Sequence, residues 1–283
     1  MPRNASEPSI APDGELIAAY GIENGDPGVW VYDGARGVRT RLSSWEGGWN
    51  GGLEWSFDGG YVIFAKTVTT QFFNNLLSVS ANGSGEPRVI VSGGGRSMPH
   101  EPDVSRDGRY LVYAQGEQDA SQALWMLAVD EGATPEPAPF LSSGGQNGEI
   151  ALSPDGRYAA YSSTEAGLTD VYLTEFPSGK GRQKVSVDGG SNPRWRSDGR
   201  ELFYFAGDRL MAAVVATVPA LSVGAREELF RLDDTIVPGQ YDVAADAHGT
   251  RFVMVKRVGD VNGKAAIAVV QNWLAEFDDE LHR

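Results

Sequence analysis

No cysteine occurs among the 283 residues, which excludes disulfides, thiol catalysis and thiolate metal sites while leaving the compartment open. Histidine is scarce too: His100, His248 and His282 are the three present. No run approaches the roughly 18 apolar residues of a spanning helix. The opening MPRNASEPS lacks the basic-then-apolar order of a signal peptide. If Met1 is the true start, a cytoplasmic protein is expected; if the chain is a fragment of a membrane-anchored parent, an extracytoplasmic one. Basic blocks are missing as well. Lys and Arg number 24 against 38 Asp and Glu, a net charge of −14, so nucleic acid and membrane insertion are disfavoured and a cation or basic partner is allowed. Absent also are the Gly-x-Ser-x-Gly elbow, the His-Glu-x-x-His pair, the phosphate loop and the dinucleotide fingerprint.

What is present is repetition. Ser153 to Ser163 reads SPDGRYAAYSS, with a Pro-Asp-Gly turn between two apolar stretches. Relatives start at Ala11, Ser56, Ser105 and Arg196, with a degenerate one at Asp246. The residue before each turn glycine is Asp13, Asp58, Asp107, Asp155, Asp198 and His248, at separations of 45, 49, 48, 43 and 50 residues. Such a period, with several strands in each, marks a propeller array, because one unit cannot bury its own faces and a ring can.

The expected fold is therefore all-β: a six-bladed propeller of four-stranded antiparallel blades, as one domain over 1–271. The repeats fall near 1–43, 44–93, 94–143, 144–187, 188–233 and 234–271. Within each, strand A precedes the turn and strand B follows it. Strand B is almost continuously apolar, as in Tyr110 to Ala114, which predicts cover on both faces. Strand A alternates. Three and five residues before the marker the chain is mostly apolar, four and six before it polar or small, so one side of strand A faces a channel. Too little chain precedes Glu7 for a closing outer strand, which predicts an incomplete last blade and an edge open to self-association. Trp273, Phe277 and Leu281 lie four apart in 272–283, the spacing of a short amphipathic helix; a frayed tail is the alternative.

The SPDG-type turns, the run DVYLTEFPSGKGRQKVSVDGG from Asp170 and the closing VVQNW from Val269 to Trp273 resemble TolB-like β-propellers built of WD-like Asp-Gly repeats. The resemblance is strongest to propellers fused behind bacterial serine/threonine kinase or transcription-regulator domains. It implies the fold over the whole chain, and in that family an N-terminal strand usually completes the last blade.

Two groups of residues stand out as a site. Counting back six from the markers gives Glu7, Glu101, Glu149 and Asp242, with the neutral oxygen of Asn192. Ring closure would gather these around one axis as a calcium or magnesium site, all ligands being oxygen; a hydrated channel with Arg194 as counter-charge is the other reading. The second group is a loop rim carrying Trp45, Trp49, Asn50, Phe72, Phe73, Arg96, Met98, His100, Gln146, Asn147 and Tyr241 among Gly-Gly pairs. Aromatic and amide groups on such loops suit a protein, peptide or small-molecule ligand. The leading functional reading is a non-enzymatic binding or sensing module belonging to a longer bacterial protein. The alternative is a divalent-cation-dependent hydrolase or lactonase at the top of the channel, with His100 and Glu101 as its catalytic pair.

Overall fold

The computed structural model describes residues 3–23, 25–44, 51–68, 73–94, 97–116, 122–129, 136–142, 145–246, 249–258 and 264–271. Their strands form six antiparallel sheets in sequence order. The first holds β1 (Arg3–Ile10), β2 (Leu16–Glu23), β3 (Asp26–Asp33) and β4 (Val38–Ser44); the second β5 (Leu53–Trp55), β6 (Tyr61–Val68), β7 (Phe73–Ser80) and β8 (Arg88–Val91). The third holds β9 (Met98–Val104), β10 (Tyr110–Gly116), β11 (Gln122–Ala128) and β12 (Pro137–Leu141); the fourth β13 (Asn147–Leu152), β14 (Tyr158–Ser163), β15 (Asp170–Glu175) and β16 (Gln183–Lys184). The fifth holds β17 (Ser191–Trp195), β18 (Glu201–Ala206), β19 (Arg209–Ala216) and β20 (Ser222–Arg231). The sixth has three strands among the described residues: β21 (Ile236–Asp246), β22 (Gly249–Val258) and β23 (Lys264–Gln271). The segment 272–283, expected as a helix or tail, lies outside the described residues.

The first strands meet in cyclic order, β1 with β5, β5 with β9, β9 with β13, β13 with β17, β17 with β21 and β21 with β1. This is a closed ring of blades with strand A innermost. The core is divided accordingly into six apolar clusters, each shared by two adjacent blades. Strand B supplies them from both faces: Val112, Tyr113 and Ala114 are all buried, as are Phe252, Val253 and Met254. Burial on two sides is why these strands need no polar alternation.

Among the described residues, the cluster that closes the ring has Ile10, Ala19 and Val253 as its buried members. Polar bonds reinforce this seam. The Ile10 N–H donates to Asp242 Oδ2 at 2.7 Å, the Gln240 amide donates to Glu7 Oε1 at 2.8 Å and accepts from the Glu7 N–H at 2.6 Å, and Arg251 donates to the Gly14 carbonyl.

At the opposite end from the loop rim, the Asp-Gly turns repeat one local arrangement. In blade four the Ser153 hydroxyl donates to Asp155 Oδ1 at 2.6 Å, Asp155 accepts from the Arg157 N–H, and the Tyr158 N–H donates to Ser153 Oγ. Ser105, Asp107 and Tyr110 do the same in blade three, as do Ser56, Asp58 and Tyr61 in blade two. These bonds hold the Asp107 carboxyl at about 2, the Ser105 hydroxyl being the main cause.

Candidate functional site: the central cavity

Strand A does not run straight to the channel. Glu7, Glu101, Glu149 and Asn192 have φ of 52, 49, 49 and 53°, and Gly52 stands at the same position with φ 81°. Pairing with strand B slips at this point in blades one, three, four and five. The result is a repeated bulge that re-aims the side chain toward the neighbouring blade. Left-handed backbone costs a glutamate on the order of 1–3 kcal/mol, and bonds across blades offset it. Glu149 Oε2 accepts from the Asn192 N–H at 2.9 Å and from the Ser162 hydroxyl, and the Glu101 N–H donates to the Gly51 carbonyl at 2.7 Å. Gly52 is required for a second reason: a Cβ there would lie 2.6 Å from the Glu101 Cα.

Four residues before the marker, a second layer forms. Asp103 Oδ2 accepts from the Leu152 N–H of the next blade at 2.5 Å, and Asp242 Oδ2 from Ile10 as described. Trp55 and Trp195 donate indole N–H bonds to the Ser9 and Ala151 carbonyls of the preceding blades, each at 3.0 Å. Arg194 places Nε 3.7 Å from Asp242 Oδ1, their side chains 25% and 15% exposed, and its guanidinium lies over the Tyr241 ring at 5.9 Å.

This corrects the expected metal ring. Asp242 pairs with Val253, as Arg194 pairs with Phe203 and Asp103 with Val112. It therefore belongs one step lower than Glu7, Glu101 and Glu149, and Gln240 takes the place assigned to it. The cause is two extra residues in the last hairpin: Trp195 faces Leu202 across its turn, whereas Val243 faces Phe252. Glu149 and Asn192 are spent on the bond between blades four and five and do not line the cavity. Among the described residues no group of three or more acidic or histidine side chains is placed to hold a metal ion.

The two layers enclose a central cavity of about 280 Å³. Glu7, Glu54, Glu101, Asp103 and Asp242 supply carboxyl groups to its wall, Arg194 a guanidinium, and Trp55, Trp195 and Tyr241 aromatic surface. Pro12, Phe57, Arg106 and Pro154, each the residue before a turn aspartate, also line it, so the cavity extends to the Asp-Gly rim. Burial, then the neighbouring Glu7 and Glu149 charges, pushes the Glu101 carboxyl up to about 8. Burial raises Asp103 to about 6 against the opposing Leu152 N–H bond and Arg194 charge, and burial likewise raises Glu7, Glu54 and Asp242. Glu101, at about 8, keeps its proton near neutrality, which eases the crowding of acids in this small space.

The loop rim is placed as follows. Trp45, Trp49, Asn50, Phe72 and Arg96 lie outside the described residues, as does the side chain of Phe73. His100 is buried, its Nδ1 2.7 Å from the Met98 carbonyl and its Nε2 3.4 Å from Gln122 Nε2, and burial lowers its pKa. Asn147 is buried and donates to the Gln122 carbonyl at 3.0 Å, while Gln146 is exposed and bridges to Gln122 through the backbone. Tyr241 is buried too, its hydroxyl donating to the Asn192 carbonyl at 2.8 Å and its ring set edge-on to Phe205. Asn147 and Tyr241 thus tie blades together and His100 is held within its own blade, instead of presenting an open face. The structure places His100 and Glu101 apart: Glu101 lines the cavity and His100 does not. Residues at the cavity's mouth were absent from the sequence-derived set, although the blade-two turn, SFDGGY where its neighbours read SRDGRY and SPDGRY, carried the signal.

No family model matches the chain, and no curated protein does. Solved structures do. A protein described as TolB from Agrobacterium tumefaciens superposes with a TM-score of 0.63 at 17% identity, covering 81% of this chain and 82% of that one. TolB from Acinetobacter baumannii gives 0.61 at 18%, covering 82% of this chain and 56% of that one. An oligogalacturonate lyase from Vibrio parahaemolyticus gives 0.60 at 13%, covering 95% and 75%. At such identities the likeness carries the fold alone: the chain is a β-propeller whose structural neighbours include the TolB propellers.

Proposed function

We propose that this propeller is a non-enzymatic binding module whose ligand enters the central cavity from the Asp-Gly rim. The observation that carries the reading is the cavity itself, with exposed residues at its mouth and aromatic surface and charge in its wall. Its polar groups are engaged in shaping it: Asp103 and Asp242 accept backbone N–H bonds from neighbouring blades, and Arg194 pairs with Asp242. Among the described residues no histidine lines it, and the one serine that does, Ser56, is bonded to Asp58 within the turn. These contacts favour a fixed receptor over a site that must cycle protons and nucleophiles. Membership of a longer bacterial protein, of the kinase- or regulator-fused kind, belongs to the same proposal and rests on the sequence resemblance.

Trp55 and Trp195 report on the cavity wall. Titration with small cationic, neutral and anionic organic probes is expected to give a saturable fluorescence change for one class, lost in Trp195→Phe, with every probe recovered unchanged. Chemical conversion of a probe would overturn the non-enzymatic reading, and no saturable change for any class would overturn the cavity as the site.

A further inference from the structure

The Asp-Gly rim is uneven. Between blades three and four, Tyr110 packs edge-on against Phe176 at 5.1 Å, and Phe140 packs on the same ring at 5.1 Å. Between blades four and five, the equivalent Tyr158 is buried in a cluster with Val215. Backbone bonds fix the equivalence: the Phe176 N–H donates to the Arg157 carbonyl, Val215 to Arg200 and Val129 to Arg109. Between blades two and three the pair is accordingly Tyr61 and Val129, and each is 51% exposed. Here valine replaces phenylalanine, and Gly60 replaces the arginines that lie over Tyr110 and Tyr158. Phe57, also 51% exposed, lies against Gly108 of the next turn, where a Cβ would come within 2.3 Å of its ring. Among the described residues, an apolar shelf without the cover seen at the next two interfaces therefore adjoins the cavity's lip between blades two and three.

We propose that this shelf docks a basic, extended segment of a partner protein, with Phe57, Tyr61 and Val129 holding its apolar side chains and the cavity receiving one lysine or arginine side chain. The inference rests on the cavity reading above and names its partner. Charge selects the occupant. Five carboxyl-bearing side chains line the cavity against the guanidinium groups of Arg194 and Arg106, and the chain carries a net charge of −14. An acidic segment would meet five carboxyl groups against two guanidinium groups, one of them already paired with Asp242. An incoming cation also favours the ionised form of the wall acids, so binding releases protons and tightens as pH rises. Arg106, at the lip, opposes the same cation.

The test uses the full chain and a peptide of about ten residues alternating leucine with lysine or arginine, its glutamate counterpart, and free arginine amide as a minimal cation. The expected result is binding of the basic peptide only, tighter at about pH 8 than at about pH 6 and strengthened in Arg106→Ala. Tyr61→Ser with Val129→Ser should weaken the peptide about ten-fold or more while leaving arginine amide unaffected. Both positions are half exposed, so folding is retained; should the pair melt early, Tyr61→Ser alone carries the same expectation. Equal binding of the acidic peptide, or no loss in the shelf variants, overturns the docking proposal. If arginine amide binds and the peptide binds no better, the partner is wrong and the cavity reading stands. If no probe changes the tryptophan signal, both fall.

Discussion

The Asp-Gly turns and the channel layer are both built around carboxylates, yet they use them in opposite ways. At a turn the partners are local: Asp107 takes its bonds from Ser105 and Arg109, two residues away on either side. In the channel they are remote: Asp103 reaches Leu152, 49 residues on, and Asp242 reaches Ile10, 232 residues back. Turn carboxylates are solvated and charged, with Asp107 held at about 2; channel carboxyls are desolvated, with Asp103 at about 6 and Glu101 at about 8. The turn makes a blade and the channel makes a ring.

Damage should scale accordingly. The largest effect is expected at Gly52, where alanine must accept φ 81° and meet the Glu101 backbone; Gly52→Ala should cost about 3 kcal/mol in urea denaturation. A cost under about 1 kcal/mol would mean that blades two and three do not press together there. Next comes Asp242→Ala, which removes the acceptor for Ile10 and the partner of Arg194 at the seam that closes the ring; about 2–3 kcal/mol is expected. A double-mutant cycle with Arg194→Met sharpens this, since losing both charges should cost less than losing the aspartate alone. The smallest is Asp155→Ala, expected at about 1–2 kcal/mol because one turn loosens and the ring is untouched. If Asp155→Ala proves costlier than Asp242→Ala, the division between local turns and long-range ring is wrong.

The same division explains what could be read from the sequence. Turn chemistry and the apolar B strands are local, so SPDG and its relatives located the hairpins, and the two-residue periodicity assigned strand A to the channel. The outer strands were harder. Pro137–Leu141 contains two prolines and Gln183–Lys184 is two residues long, so neither carries a strand signal; both are held by their neighbours in the sheet. The level of Asp242 was misread because the marker His248 falls between the strands of a hairpin two residues longer, and the largest marker separation, 50 residues, was the available hint. Left-handed glutamates cannot be seen in a sequence at all, because glutamate has no preference for that region and only contacts from the next blade hold it there. The loop rim drew attention through composition, yet His100 is buried within its own blade, and Asn147 and Tyr241 point their polar atoms into neighbouring blades. Burial of that kind depends on partners far along the chain.

Stability against pH puts the turn and the channel against each other most directly. Asp107, held below its ordinary value, contributes stability that is present above about pH 4 and lost as pH falls toward about 2. Glu101 and Asp103, held above theirs, contribute stability that is complete below about pH 4 and lost as pH rises through about 6 and then about 8. Urea denaturation of the wild-type chain, Glu101→Gln and Asp103→Asn between about pH 5 and about pH 9 is therefore the decisive measurement. The account predicts that wild-type stability falls across this range, that Glu101→Gln flattens the upper part and that Asp103→Asn flattens the lower. A wild-type profile that rises with pH, or a Glu101→Gln profile parallel to it, would contradict the claim that ring closure confines these carboxyls in a buried, crowded channel.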